Sequence, residues 1–345
     1  SNAFKAADIL LPHNIEMEKW SVVACDQYTS EPEYWEKTEQ IVGNAPSTLR
    51  LILPEVYLES DNVDARIADI HKNMDKYLAD NIFDEYKNAM IYVERTTADG
   101  VRAGIVGAVD LEEYDYRKGS KSSVRATEAT VVERIPPRIK VRNGAPLELP
   151  HIMILIDDAK RTVIEKLSAK KDQLKKLYDF ELMQGGGHIA GYLLGEDDIA
   201  EVTAALDALG NADEFNAKYG LKNEPVMLYA MGDGNHSLAT AKEYYEQLKR
   251  ENPDKDMSAH PARYALAEIV NLHSDALRFE AIHRIVTGVD AEKLLAALKA
   301  ALETSENGIG QSFVVVNGST TETLYVGKPT SNLTVGSLQQ FLDAY

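Results

Sequence analysis

The 345-residue sequence has very little cysteine and no long hydrophobic run. Its single cysteine, Cys25, excludes an internal disulfide framework and any zinc site built from several cysteines. No apolar run approaches the roughly 20 residues needed to cross a bilayer, and no signal-peptide pattern opens the chain. We therefore expect a protein of the reducing cytoplasm that has no membrane partner.

Basic residues are also scarce, because 37 Lys and Arg stand against 55 Asp and Glu, for a net charge of −18. Nucleic-acid binding depends on Lys and Arg that neutralise phosphates, so we expect no nucleic-acid partner. The exception is residues 117–142, which carry eight basic and two acidic side chains. A positive patch in a negative field concentrates small anions. Arg134 and Arg138, on either side of Pro136-Pro137, are therefore predicted to bind a small anionic ligand.

Hydrophobic residues make up 44% of the chain and charged residues 27%, as in ordinary globular proteins. Short apolar runs alternate with helical patterns, which predicts an α/β or α+β fold with mixed sheets and flanking helices. We predict a single region, 4–345, made of two interlocked lobes, 4–150 and 151–345. Residues 1–3 resemble the remnant of a cleaved tag and are left outside this fold. The composition leaves a homo-oligomer open.

The most informative stretch joins an apolar run, residues 225–231, to a helical pattern that includes Leu238 and Tyr245. Six small or polar residues connect the two: Gly232, Asp233, Gly234, Asn235, His236 and Ser237. A helix N-terminus offers unpaired amides and the positive end of the helix dipole, and ligands of α/β sheets bind at the carboxyl ends of strands. We predict a phosphate or anion site here, with His236 and Asp233 as catalytic candidates. The structural alternative is an ordinary turn and helix cap.

Two further segments contribute carboxylates to the predicted site. Asp26 and Glu31 follow a predicted strand, 20–25, and precede a predicted helix, 33–41; the alternative is that they form a turn and a cap. Glu128 lies in a predicted strand, 123–132. If the register points Glu128 inward, a functional role is indicated, since charged residues are seldom buried without one.

A glycine-rich segment is the second unusual stretch: Gln184, Gly185, Gly186, Gly187 and His188. Consecutive glycines are retained where the backbone approaches something closely or adopts positive φ. The segment lacks the GxxxxGK[ST] pattern of a P-loop, so a Walker-type site is not supported. We predict a ligand-facing loop followed by a helix, with a hinge or linker as the alternative.

Other elements follow from the pattern of apolar residues. Residues 151–156 predict a buried strand, after which Asp157 and Asp158 would either hold Mg²⁺ or, as we favour, cap a helix that ends near residue 177. The Asp-Gly pair at 99–100 predicts a hairpin. Further strands are predicted at 264–272, 279–286, 313–316 and 320–326, and a helix at 294–302.

With these residues in view, the chain resembles the family called domain of unknown function 1015 (DUF1015) over nearly its whole length. The residues that carry the resemblance are Ala24–Trp35, Arg125–Glu128, Glu133–Arg138, Met183–His188, Met231–Ser237 and His260–Tyr264. The resemblance implies no activity, because none is established for the family.

A more distant similarity links Asp233–Ser237 to the Asp-Gly-His-His-Arg type of motif in the ParB/sulfiredoxin superfamily. That resemblance implies a nucleotide-binding core in which the motif opens a helix and contacts phosphates. Asp233, Gly234 and His236 match the motif, whereas Asn235 replaces a histidine. Ser237 replaces the arginine, which removes a bidentate phosphate contact. Arg134 or Arg138 would have to supply that charge.

These observations favour an enzyme that transfers phosphoryl groups between a nucleotide and a small metabolite, in the manner of a small-molecule kinase. His236 and the helix N-terminus would hold phosphate, Asp26 or Glu31 would be the general base, and Mg²⁺ would lie between carboxylate and phosphates. A non-catalytic sensor of small anions is the second hypothesis. A metal-dependent hydrolase using His188, His236 and the aspartates ranks last, because their separations match no zinc motif and no metal-ligating set is predicted.

Overall fold

The computed structural model describes residues 2–149, 152–278 and 283–345. The chain divides into two compact units, residues 1–278 and 279–345. Residue 151 of the predicted strand 151–156, and residues 279–282 of the predicted strand 279–286, lie outside the described residues. Within the described ranges, no helix combines the length and the apolar character needed to cross a bilayer.

The first unit contains a mixed sheet of ten described strands. Its strands are β1 (Phe4–Lys5), β4 (Ile91–Thr97), β5 (Gly100–Asp110), β6 (Tyr114–Asp115), β7 (Val124–Arg125), β8 (Met153–Ile156), β9 (Lys175–Glu181), β10 (His188–Leu193), β11 (Tyr229–Asp233) and β12 (Tyr264–Asn271). Their order is β6-β7-β11-β8-β12-β5-β4-β10-β9, with β1 on β5. The pairs β6–β7, β7–β11 and β8–β12 are parallel and the others antiparallel. This mixed α/β architecture agrees with the predicted fold class, and its strands come from both predicted lobes.

The remaining elements of the first unit are helices and a small two-stranded sheet of β2 (Ala7–Pro12) and β3 (Phe83–Ala89). The helices are α1 (Met17–Trp20), α2 (Pro32–Val42), α3 (Val63–Ala79), α4 (Ile135–Arg142), α5 (Glu165–Ala169), α6 (Glu196–Leu209), α7 (Ala212–Tyr219) and α8 (Asn235–Glu251). Helix α8 buries Leu238, Ala241 and Tyr245 in the same apolar cluster as Ile105 and Ile269 of the central strands. This packing fixes the N-terminus of α8 at the end of β11.

The second unit consists of α9 (Ala291–Ala301), a hairpin of β13 (Ser312–Asn317) and β14 (Thr320–Tyr325), and α10 (Thr334–Ala344). Leu298, Leu302, Leu324 and Val326 form its small core. The predicted helix 294–302 and closing hairpin are both present, although their bounds differ by a few residues.

Several local predictions are wrong. The glycine-rich segment leads into strand β10 rather than a helix, because residues 188–193 pair with both β4 and β9. Of the predicted strand 123–132, only Val124–Arg125 pairs, with β6 and β11. The predicted strand 20–25 is irregular after α1. The prolines at 136–137 lie in the first turn of α4, where a missing amide proton costs little.

Two further expectations change at the chain start and after β8. Asn2 and Ala3 are buried, and Asn2 Oδ1 accepts hydrogen bonds from the Phe4 amide (2.9 Å) and the Tyr229 hydroxyl, so these residues belong to the fold. Asp158 accepts from the Thr162 and Val163 amides at 2.7 and 3.0 Å, in the loop before α5. Because α5 begins at Glu165 and its cap position, Ile164, has no side-chain cap, the predicted helix cap is wrong. The helix that follows is much shorter than predicted, since β9 begins at Lys175.

Candidate functional site

The turn between β11 and α8 is built by local contacts. Asp233 Oδ1 accepts the Gly234 amide at 2.8 Å. Gly234 has φ +84°, a left-handed conformation that glycine adopts without a Cβ penalty, and this bend lets the helix begin at Asn235. Gly232 lies close to β8, where an added Cβ would stand 3.3 Å from the Met153 carbonyl oxygen. The cap residue is a glycine, so it has no side chain with which to cap the helix N-terminus.

His236 lies in the first turn of α8, and among the described residues its ring makes one hydrogen bond. Its Nε2 accepts the Val131 backbone amide at 3.2 Å. An amide can only donate, so Nε2 carries a lone pair and the proton of the neutral ring is on Nδ1. Burial lowers the pKa of His236, and the nearby charges of Arg138 and Arg134 lower it further, whereas Glu128 and Glu55 act in the opposite direction. The ring is therefore a neutral donor at Nδ1.

The two predicted arginines do lie around His236, in different environments. The side chain of Arg138 is 15% exposed, and its guanidinium pairs with Glu55, which is 24% exposed. Arg138 Nη1 also donates to the Arg134 carbonyl oxygen at 2.8 Å. Arg134 is exposed to solvent. Arg138 is thus a paired charge in the wall of the site, and Arg134 is a solvent-exposed one at its rim.

Asn235 brings Glu128 into the same cluster. Asn235 is 6% exposed, and its Nδ2 donates to Glu128 Oε1 at 3.4 Å. Its Oδ1 is buried and has no hydrogen-bond partner among the described residues; the same holds for the Thr130 hydroxyl. Exchanging the amide O and N would set an oxygen against the carboxylate, so the orientation follows from chemistry. Buried polar atoms without a partner are uncommon and call for an explanation such as a bound ligand or water.

The segment of Asp26 joins the site indirectly. The Glu55 amide donates to the Cys25 carbonyl oxygen at 2.8 Å, which places the residue before Asp26 against the partner of Arg138. Asp26 Oδ1 accepts from Gln27 Nε2 at 3.4 Å. Glu31 flanks the start of α2, where its carbonyl oxygen accepts the Tyr34 amide at 3.1 Å.

The glycine-rich segment makes its contacts elsewhere, with α2, β4 and β9. Gln184 Nε2 donates to the Thr38 hydroxyl at 2.6 Å, and the Gly186 carbonyl oxygen accepts from Arg95 Nη2 at 2.8 Å. Gly185 and Gly187 both have positive φ, at +68° and +91°. His188 lies between Asp179 and Glu181 of β9, with Glu181 Oε1 2.6 Å from Nδ1. Hydrogen bonds to these carboxylates, Asp179 first, raise the pKa of His188.

A cavity of about 150 Å³ opens beside the His236 cluster. Its polar lining consists of Ser237 and Thr240 of α8, Arg138 and Arg142 of α4, Glu55, Glu148 and Cys25, and the rest of the lining is apolar. In the part of the chain that the structure describes, no group of three or more His, Cys, Asp or Glu side chains is arranged to hold a metal ion.

Glu55 is the site residue that sequence reasoning missed. It follows Pro54 in a short 3₁₀ turn and belongs to no recognisable motif. Its partner Arg138 is 83 positions away in the chain, so no local signal could have paired the two. The only sequence signal for Glu55 is that it is a carboxylate within an otherwise apolar segment, residues 51–58.

Three comparisons with known proteins were made, and one of them agrees with the family resemblance seen in the sequence. Searches of curated proteins and of solved structures gave no match. A family model described as "Protein of unknown function (DUF1015)" matches residues 8–345 and so includes every residue of the site described above. This match spans nearly the whole chain, and the protein belongs to the DUF1015 family.

Proposed function

We propose that the cluster around His236 binds a nucleotide or another small phosphorylated metabolite and transfers a phosphoryl group to a hydroxyl acceptor. The observation that carries this proposal is the neutral His236 ring, with its Nδ1 proton available, in the first turn of a helix whose cap residue is glycine and next to Arg134 and Arg138. Donors and positive charges in this arrangement suit phosphate oxygens. The ParB/sulfiredoxin resemblance, which none of the comparisons supports, is not needed for this argument.

The carboxylates favour a transferase over a passive anion binder. Glu55 pairs with Arg138, and the charge of Glu128 opposes the effect of both arginines on His236, which a site built only to hold an anion has no reason to do. In a transfer reaction, however, cations stabilise the moving group while a carboxylate accepts the proton of the acceptor hydroxyl. The buried Asn235 Oδ1, an acceptor without a partner among the described residues, is suited to receive that hydroxyl beside Glu128.

In this scheme the acceptor oxygen forms a bond to the terminal phosphorus of the nucleotide, and the bond from that phosphorus to the bridging oxygen breaks. The hydroxyl proton passes to Glu128, and the shortened nucleotide leaves with the electron pair. We assign the base to Glu128 because Asn235 fixes it next to His236, and Asp26 is the alternative. Mg²⁺ held through a nucleotide needs only one or two protein carboxylates, and Asp26 is the residue that would provide one.

Binding is tested by thermal unfolding with ATP, ADP, CTP and GTP, with and without Mg²⁺. Ligand at about 100 times its Kd stabilises the folded state by about 2.7 kcal/mol, which moves Tm by several degrees. Arg134→Ala is expected to weaken nucleotide binding at least about tenfold, the effect of one charged hydrogen bond. Arg250→Ala, an exposed arginine in the last turn of the same helix, is the matched control and should bind normally. No shift with any nucleotide at millimolar concentration would refute the proposal.

Catalysis is separated from binding by two carboxylate variants. Glu128→Gln should keep nucleotide affinity within about threefold but lower phosphate release to water by about 10²-fold or more, the usual contribution of a general base. Asp26→Asn should lower phosphate release less than Glu128→Gln does. If both variants leave affinity unchanged and the wild-type protein shows no turnover, the anion-sensing alternative is correct.

A further inference from the structure

The cavity of about 150 Å³ next to His236 has an apolar interior. Leu51, Leu53 and Met74 line it, and these side chains are themselves 2%, 7% and 3% exposed. Val141 of α4, Leu147 and Leu149 extend this apolar wall, and the ion pair of Arg142 and Glu148 forms another part of the lining. A water molecule against this apolar wall would find few hydrogen-bond partners. An apolar cavity of about this volume holds a molecule the size of benzene, so a hydrocarbon group of about six heavy atoms fits against the apolar wall.

The same cavity has a polar side that coincides with the proposed phosphate site. Ser237 and Thr240 on α8 line it together with Arg138 and Glu55, the ion pair that stands beside His236. Ser237 directly follows His236 in the first helical turn. A molecule with an anionic or hydroxyl-bearing head at the helix N-terminus would therefore have its remaining atoms directed along an apolar wall.

We propose that the acceptor of the transfer reaction, and its phosphate ester product, is amphipathic and carries a hydrocarbon group of about six carbon atoms in this cavity. The inference rests on the proposed function, because it places the head group at His236 and Arg138. It adds the substrate class: aliphatic or small aromatic alcohols and their phosphate esters, rather than highly polar metabolites such as sugars. Each methylene that is buried in the cavity adds to the affinity, whereas a methylene that remains in water at the rim adds nothing.

A homologous series measures this directly. Inorganic phosphate and methyl, butyl, hexyl and octyl phosphate are titrated calorimetrically into the full chain, below the concentrations at which they form micelles. Affinity is expected to rise about fourfold per added methylene, the factor for burying one CH₂ group, and to level off near six carbons. A series that stays flat from methyl to octyl phosphate overturns the inference.

A larger side chain in the cavity should reduce the alkyl length at which the affinity stops rising. Ala145 lines the cavity and is half-buried, so Ala145→Leu should move the plateau from about six carbons to about three and leave methyl phosphate binding unchanged. Unchanged methyl phosphate binding also shows that the variant is folded. Ala200→Leu, at an exposed position on α6, should behave as the wild type. If Ala145→Leu leaves the whole series as it was, the hydrocarbon group lies elsewhere and the inference is wrong.

Cys25 gives an independent readout, since it lines the cavity and is the single cysteine of the chain. Hexyl phosphate is expected to slow alkylation of Cys25 at least fivefold, whereas inorganic phosphate at equal saturation should not. Protection by AMP but not by hexyl phosphate would identify a nucleobase pocket; that result overturns the inference and leaves the proposed function standing. If neither inorganic phosphate nor any ester binds, the inference and the proposed function both fail.

Discussion

Two glycine-broken turns deliver a histidine in this chain, and the structure gives them opposite surroundings. His236 lies in the first turn of α8, half-buried, with arginines near it. His188 begins strand β10 and lies between Asp179 and Glu181 of the adjacent strand. The pKa of His236 is lowered, chiefly by burial and then by Arg138, and the pKa of His188 is raised, chiefly by its hydrogen bond to Asp179.

The difference lies in which ring nitrogens remain available to a ligand. Both nitrogens of His188 face carboxylates, so a second anion would meet repulsion there. The ring of His236 uses Nε2 to accept an amide and keeps its Nδ1 proton for another group. A glycine-histidine pattern thus indicates a close backbone approach in both places, but only the residues that pack around each ring decide whether it can bind an anion.

The largest expected effect tests what the glycine-rich segment is for. A Cβ at Gly187 would collide with the Thr96 carbonyl oxygen of β4, and φ there is +91°. Since backbone cannot move aside as a side chain can, Gly187→Ala should lower the free energy of unfolding by about 3 kcal/mol or more. Gly185→Ala is the matched control: its φ is +68°, but nothing lies within 4 Å of the added atom. It should cost only about 1 kcal/mol.

Urea denaturation of the two variants measures both values. Equal losses for Gly185→Ala and Gly187→Ala would mean that contact with β4 does not explain Gly187. A Gly187→Ala protein that is stable but loses ligand affinity would instead revive the idea that this segment faces a ligand.

A smaller effect sharpens the contrast in binding. His236→Gln should weaken binding of pyrophosphate or nucleotide about tenfold, since a hydrogen bond to a charged group contributes about 1.5–3 kcal/mol. His188→Gln should change the affinity less than twofold, because its neighbours are acidic. Isothermal titration calorimetry of the two variants measures both affinities. If both substitutions weakened binding equally, the prediction that only His236 contacts the anion would be wrong.

The sequence predicted the strand–turn–helix at 225–248 because each part has a local signal: an apolar run, glycines that permit positive φ, and a helical stripe. It failed at residues 123–132 and 188–193, where the choice between strand, loop and helix depends on which strands lie alongside. The pairing of β10 with both β4 and β9 is a tertiary fact that no local pattern contains. For the same reason the local charge pattern predicted Arg134 and Arg138, whereas Glu55, the partner of Arg138, was not predicted.

The smallest effect, and the most direct contrast, is the dependence of stability on pH. The folded chain holds the His188 proton more tightly than the unfolded chain does, so this contribution is full below the ordinary pKa of about 6.5 and is lost as pH rises through the higher folded value. His236 has the opposite sign: its lowered pKa means that the unfolded chain takes up a proton first, and stability is lost as pH falls below about 6.5. Relative to the wild type, His188→Gln should therefore be most destabilised at about pH 6 and least at about pH 8, and His236→Gln should lessen the loss of stability on acidification.

Imidazole proton NMR, assigned with the same two variants, should show the His188 ring titrating above 6.5 and the His236 ring below it. Two rings that titrate together would show that their different neighbours in the fold do not control their protonation, and the distinction between the two turns would be lost.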